Sequence, residues 1–259
     1  MKNWKRTIFT IALLACVGTV GAQTEPERTT VEDTDLQMRL GFDISKKIAR
    51  GLDVTWSEEL RMKNTISTVD RIHSGLGLSY KVNSYFSLGA EYIFIAINHD
   101  GKKSTDYQKY WDLRHRVRLN FTASYKVGQW KFSLRERPQM TIRTDSINPL
   151  EKRKTEFVLR SRLKAQYTCR TLPLKPFVYV EVYNTLNAPK FVSNYVEKIR
   201  SEIGVDYDLN RRSSFTFYYR FDYAITKDVE VKKSTGALKS ITTGKAYNHI
   251  LGVFYSYKF

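Results

Sequence analysis

Cysteine is almost missing from this chain. There are 2 in 259 residues, Cys16 and Cys169, so a disulfide framework is excluded. Long apolar runs are missing as well: no window approaches the ~18 consecutive apolar residues of a transmembrane helix, and mean hydropathy is -0.44. Acidic side chains are scarce beside basic ones, 26 against 43, which leaves a formal charge of +17. A helical membrane protein and a disulfide-stapled scaffold are therefore out. A membrane barrel is not, because its strands need an apolar residue only at every second position.

What the sequence has is alternation. In 111–127, WDLRHRVRLNFTASYKV, the odd positions carry Trp111, Leu113, His115, Val117, Leu119, Phe121, Ala123, Tyr125 and Val127. The even positions carry Asp112, Arg114, Arg116, Arg118, Asn120, Thr122, Ser124 and Lys126. Successive side chains of a strand point to opposite faces, so this is one strand with a greasy and a polar side. A helix would smear the same residues round its axis. The stretch is long for a soluble strand, where about 5–6 residues are usual, whereas a tilted strand crosses a bilayer in ~9–11. Aromatics reach 14%, which suits the interfacial girdles of a barrel.

Period-two segments occur near 35–45, 52–62, 71–82, 85–98, 111–127, 130–144, 156–168, 175–187, 195–209, 213–225 and 246–259. Short gaps (46–51, 83–84, 128–129, 169–174, 210–212) alternate with longer ones (63–70, 99–110, 145–155, 188–194, 226–245). Outer-membrane barrels join their strands in this way, by short periplasmic turns and longer outer loops. A soluble β-sandwich, the rival architecture, has no reason to sort its connections. The expected fold is all-β, an antiparallel up-and-down transmembrane β-barrel. Since bacterial single-chain barrels use even numbers, about 12 strands are expected, one of them weak and within 23–34, with 10 as the alternative. The 226–245 connection, rich in Lys, Thr and Ser, is expected to be a solvated loop.

The beginning reads as a processing signal. Lys2, Lys5 and Arg6 precede an apolar run over 7–20, and Val20-Gly21-Ala22 lead to an expected cut at Gln23. That gives a signal peptide at 1–22, a polar segment at 23–34 and the barrel at 35–259, placed in the outer membrane. Leu13-Leu14-Ala15-Cys16 weakly resembles a lipoprotein box, so lipidation of Cys16 stays an alternative. Loss of 1–22 removes three bases and no acid, lowering the charge from +17 to +14. An exported chain meets no nucleic acid, so the partners this surplus implies are phosphate-rich lipid or anionic solutes.

Three returning segments close on a shared phrase: Ser79-Tyr80-Lys81-Val82, Ser124-Tyr125-Lys126-Val127 and Ser256-Tyr257-Lys258-Phe259. With Trp130, Tyr167 and Tyr207 at the same depth, Tyr80, Tyr125 and Tyr257 would form an aromatic girdle at the inner interface. A chain that ends on Phe259, with Tyr257, Tyr255, Val253 and Leu251 on one stripe before it, resembles the terminal signature read by the barrel-assembly machinery. The runs 76–94, 111–139 and 249–259 resemble the family called "domain of unknown function 2490", a set of predicted outer-membrane β-barrels. The resemblance spans nearly all of the chain beyond residue 22. It implies the fold, and no activity or functional residue.

The most informative constellation is the polar face of three consecutive strands. It carries Arg114, Arg116 and Arg118, then Arg135 and Arg137, then Arg160, Arg162 and Lys164. On the lipid face an Arg at mid-bilayer would cost roughly 2–4 kcal/mol, so these side chains are expected in the lumen, together with Arg220. Leu119, Phe121, Leu134, Leu163, Phe217 and Leu251 are expected outside. Rows of like charge need counter-charges, and Glu59, Glu91, Asp112 and Glu181 have the right parity. Arg118, Arg135 and Arg162 are expected to pair with Glu91 or Glu181. Two readings stay open: an ion-pair network that plugs and stiffens the barrel, or a passage or vessel for anions.

A barrel hydrolase is a third, weaker reading. His73 and Ser74 are adjacent and point to opposite faces. His115 and His249 have no Ser at i±2. His99-Asp100, read as a loop pair, lack a third ligand. No catalytic residue, metal or cofactor is assigned. Pro138 removes a ladder donor and is expected to mark a bulge near Glu136.

Overall fold

The structure, a computed structural model, describes residues 27–31 (backbone only), 34–99, 110–144, 149–232 and 234–259. Among these residues all regular structure is strand. The strands are β1 (Glu27–Val31), β2 (Asp35–Ala49), β3 (Leu52–Lys63), β4 (Thr68–Lys81), β5 (Phe86–His99) and β6 (Tyr110–Val127). They continue with β7 (Trp130–Arg143), β8 (Thr155–Tyr167), β9 (Leu174–Thr185), β10 (Val196–Asp208), β11 (Ser213–Val231) and β12 (Leu238–Lys258). From β2 to β12 each strand pairs antiparallel with the next, and β12 closes the ring on β2. The segment expected to be cleaved and any lipid on Cys16 lie outside the described residues.

The closing pair is parallel, running from Asn248 opposite Asp35 to Lys258 opposite Ser45. β1 uses the same edge of β12 higher up, also parallel, with Glu27 opposite Ile241 and Val31 opposite Lys245. Twelve segments thus fill eleven barrel positions, close to the expected count. The strand expected within 23–34 exists, but it extends the position of β2 instead of adding one. An even number is required only when every neighbour is antiparallel, and one parallel seam lifts that requirement.

Connections sort by end as the gaps in the sequence imply. Two-residue turns join β2 to β3 and β6 to β7, with Gly51 (φ 79°) and Gly128 (φ 58°) supplying the left-handed residue that tight hairpins need. The three longest connections, 100–109, 144–154 and 186–195, all lie at the other end. One expectation is overturned there: 226–245 is not a loop. β11 and β12 run on through it as a hairpin, from Thr226 opposite Gly244 to Glu230 opposite Ser240, and turn only over 232–237. Val229 and Val231 in one arm keep strand alternation going where lysines mask it.

The Pro138 expectation also fails. Arg118 faces Gln139 and Phe121 faces Glu136 in one unbroken register. The missing Pro donor leaves the Leu119–Pro138 level unbridged to β6 without shifting either strand. Glu136 therefore stays on the outer face, where its carboxylate accepts from Ser161 Oγ at 2.6 Å.

Leu119, Phe121, Leu163, Phe217 and Leu251 are exposed on the outer wall, and Leu134 is half-buried among them. Inward, narrow curvature is achieved by rings laid on glycines. Phe177 faces Gly204, Gly204 faces Tyr218 on its other side, Tyr218 faces Gly252, and Phe254 faces Gly41. A Cβ at Gly252 would sit 2.0 Å from Tyr218 Cζ. These glycines are mortises for aromatic rings, a device that also pins register.

Candidate functional site

Every inward position of a strand faces the other strands across the barrel, so the alternation that makes β6 amphipathic also delivers its arginines to the interior. Arg116, Arg118, Arg135, Arg137, Arg160, Arg162 and Lys164 line a central cavity of about 490 Å³, together with Glu59 and Glu181. Glu91 lines an adjoining chamber of about 430 Å³, whose walls also include Arg118, Arg135, Arg137 and Arg162. Arg114 and Asp112 do not join them. They pair with each other at 2.5 Å near the loop end of β6.

Three carboxylates act as hubs. Glu181, only 1% exposed, accepts from Arg160 Nη2 at 2.8 Å, Arg135 Nη2 at 3.0 Å and the Tyr183 hydroxyl at 3.1 Å. Arg200 lies 3.7 Å from the same group. Glu91 accepts from Asn120 at 2.8 Å and from Arg118 and Arg137 at 3.3 Å each. Asp222 takes both forks of Arg200 at 2.7 Å. Fork-to-carboxylate geometry of this kind is the strong form of the ion pair.

Arg118 thus meets Glu91 and Arg135 meets Glu181, while Arg162 meets neither. Its guanidinium lies over the Tyr179 ring, 5.0 Å from the centroid, and no carboxylate among the described residues reaches it. Arg116 donates to Thr141 Oγ1 at 3.0 Å and has no carboxylate either. Lys164 sits 3.8 Å over the Phe177 ring. Like charges even face each other directly across the ladder, Arg135 with Arg162 and Arg137 with Arg160, an arrangement that destabilises a sheet unless something offsets it.

Sequence reading missed the far wall. Arg39, Arg61, Arg71, Lys198 and Arg200 also line the cavity, with Asp43, Glu197, Glu202 and Asp206. The signal was there, since Lys198, Arg200, Glu202, Gly204 and Asp206 alternate on β10 as the arginines do on β6. Of the described residues lining the central cavity, 13 are basic and 6 acidic.

The interior is not uniform along its axis. On β5 the inward residues Ser87, Gly89 and Glu91 are partly accessible, while Ile93, Ile95 and Ile97 nearer the loops are 6%, 0% and 6% exposed. β4 repeats this from exposed Ser79 to buried His73. On β7, Lys131 is exposed and Thr141 is buried. Along these strands the lumen is open toward the short turns and filled toward the loops.

Tyr110 and Trp111, among others, lie at the loop end, while the aromatic residues expected in the inner girdle lie at the short-turn end. Tyr80, Tyr125, Trp130 and Tyr207 are exposed there, Trp130 packs on Tyr167 at 5.1 Å, and Tyr257 meets Phe259 edge-on at 4.9 Å.

The histidines are dispersed. His73 points inward, where Arg61 Nη2 lies 3.3 Å from its Nδ1, and Ser74 points outward to Glu58 at 2.5 Å. His115 and His249 share outer-wall hydrogen bonds with Tyr92 at 2.7 Å and Tyr219 at 2.6 Å. His99 is not in a loop. It ends β5, stacks on Tyr110 at 4.9 Å and lies 3.6 Å from Asp112; its neighbour Asp100 is outside the described residues. Cys169 lies in the turn after β8, as a free thiol.

A closed, mostly antiparallel barrel with an apolar outer wall and a charged interior is a barrel of the outer-membrane type. More particularly, the chain belongs to the family described as "Protein of unknown function (DUF2490)", whose model matches residues 37–230. Among solved structures it is similar to the outer-membrane expressed OmpT of Vibrio cholerae, at 10% identity and a TM-score of 0.40. That match covers 74% of this chain and 60% of the other. The chain thus spans about 60% of that protein's length. Comparison with curated proteins gives no match.

Proposed function

We propose that this protein is an outer-membrane barrel whose lumen admits and holds anionic solutes from the short-turn side, which faces the periplasm in barrels of this class. The observation that carries the reading is the wall of the central cavity, where 13 basic residues meet 6 acidic ones. A surplus of that size in a confined space attracts anions and repels cations, as basic rings do in anion-selective pores. Lipid surrounds the apolar wall, and the assembly machinery reads the end of β12.

A second reading has its own support. The hubs at Glu181, Glu91 and Asp222 tie neighbouring and next-but-one strands together, as a plug that stiffens an envelope barrel would. Planar-bilayer recording in a salt gradient separates the two. A reversal potential on the anion side, or block of a small conductance by multivalent anions, is expected. No conductance together with no anion binding to the detergent-refolded protein would leave only the plug.

A further inference from the structure

We propose that the place where the two chambers meet is a seat for a phosphate monoester on a compact hydroxylated body, such as a sugar phosphate. This rests on the anion-lumen reading and names its ligand class.

The basic residues common to both chambers are Arg118, Arg135, Arg137 and Arg162. They come from β6, β7 and β8, three neighbouring strands, and each of the four borders both chambers. Glu91 serves Arg118 and Arg137. Glu181 serves Arg135 but is shared with Arg160 and Arg200. Arg162 has no carboxylate among the described residues. Asp43 and Glu59 line both chambers too. Glu59 is held by Arg39 and Arg61, so Glu91, a share of Glu181 and Asp43 leave the quartet a surplus of about two positive charges, which a dianion neutralises and a monoanion only halves.

Hydrogen bonding points the same way. The Nε atoms of Arg118, Arg135 and Arg162 are buried without a partner. An unsatisfied buried donor is costly, and three of them on adjacent strands ask for an acceptor with several oxygens. A phosphate monoester offers three, matched to guanidinium forks, where a carboxylate offers two.

The opposite wall of the smaller chamber sets the rest of the ligand. Gly75, Gly77 and Gly89 form a floor without side chains, flanked by the hydroxyls of Thr55, Ser57 and Ser87. Such a surface suits a body that carries hydroxyls, with Ile93 and Phe254, which also line the chamber, available to its carbon skeleton.

The test uses the full-length protein, refolded in detergent and titrated calorimetrically with glucose 1-phosphate, inorganic phosphate, glucose and chloride, and with phosphatidic acid in mixed micelles. Glucose 1-phosphate is expected to bind at least tenfold more tightly than any of the others. Arg162→Gln is expected to weaken it about tenfold while heat-modifiable gel migration stays native. Arg162→Lys, which keeps the charge and loses the fork, backs up the test should the first variant fail to fold, and it should lose the same preference. Equal affinity in wild type and Arg162→Lys overturns the seat. Equal affinity for glucose 1-phosphate and inorganic phosphate, or binding of phosphatidic acid alone, overturns the hydroxylated body. Anion-selective conductance with no phosphate-ester binding removes the seat and spares the anion lumen. Absence of both removes both.

Discussion

Replacing Glu181 by Gln is the sharpest perturbation of the interior. The side chain is 1% exposed and one carboxylate faces Arg160, Arg135 and Arg200 at 2.8, 3.0 and 3.7 Å. Glutamine keeps the shape and one acceptor oxygen. It removes the only negative charge among the described residues in reach of Arg135 and Arg160 and turns an amide N–H₂ toward a guanidinium. Breaking a buried pair from one side costs about 3–5 kcal/mol, mostly because the remaining charge is left uncompensated. Here more than one cation is left behind, offset by whatever water enters the cavity, so a loss of about 3 kcal/mol is expected. The assay is denaturant unfolding of the micelle-bound barrel followed by tryptophan fluorescence, with heat-modifiable migration as a second probe. Glu156→Gln is the comparison, since Glu156 pairs with Arg143 while 37% exposed, and about 1 kcal/mol or less is expected there. If Glu181→Gln unfolds within 1 kcal/mol of wild type, the network does not hold the walls together and the plug reading falls with it.

Three further outcomes follow from the same geometry. Gly252→Ala drives a methyl into the Tyr218 ring, 2.0 Å from Cζ, and is expected to cost about 1–3 kcal/mol by overpacking; neutral unfolding would refute the ring-on-glycine account. A hydrophilic maleimide should label Ser79→Cys and Ser87→Cys quickly, Ile95→Cys hardly at all, and membrane-embedded Leu119→Cys not at all; fast labelling at Ile95→Cys would show that the lumen is open at the loop end too. Deleting Phe259 should reduce the assembled barrel far more than the folded barrel's stability, because the ring is 64% exposed while full burial of such a ring is worth only about 2–3 kcal/mol; normal surface levels in the deletion strain would count against a terminal assembly signal.

Much of the fold was legible because a barrel writes its geometry into one period. In 111–127 each second residue declares its face, and the lengths of the gaps declare which end each turn occupies. Which inward residues pair with which was harder to read. Arg118 and Glu91 face each other on neighbouring strands, so parity and adjacency together found them. Arg162 directly faces Glu181 on the next strand, yet Glu181 takes Arg160 and Arg135 instead, because side-chain reach and the Tyr179 ring decide, and neither is periodic. The hairpin over 226–245 was hidden for a different reason. A strand beyond the lipid has no need of an apolar face, so lysines and threonines there read as a loop.

The parallel seam shows what alternation leaves undetermined. Period two assigns a residue to a face and says nothing of a strand's direction. β2 begins at the loop end and β12 ends at the short-turn end, so the strands that meet at closure run the same way and eleven positions close without a gap. β12 has 21 residues against 15 in β2, and the stretch Ile241–Lys245 rises beyond the start of β2. An unpaired edge at that level would be a template for pairing with another chain. β1 lies along it. Its Thr29-Thr30-Val31 core is β-branched, suited to an extended backbone, within a segment otherwise polar and acidic enough to read as a tail. The polar leader and the overlong last strand thus explain each other: each supplies the edge that the other needs.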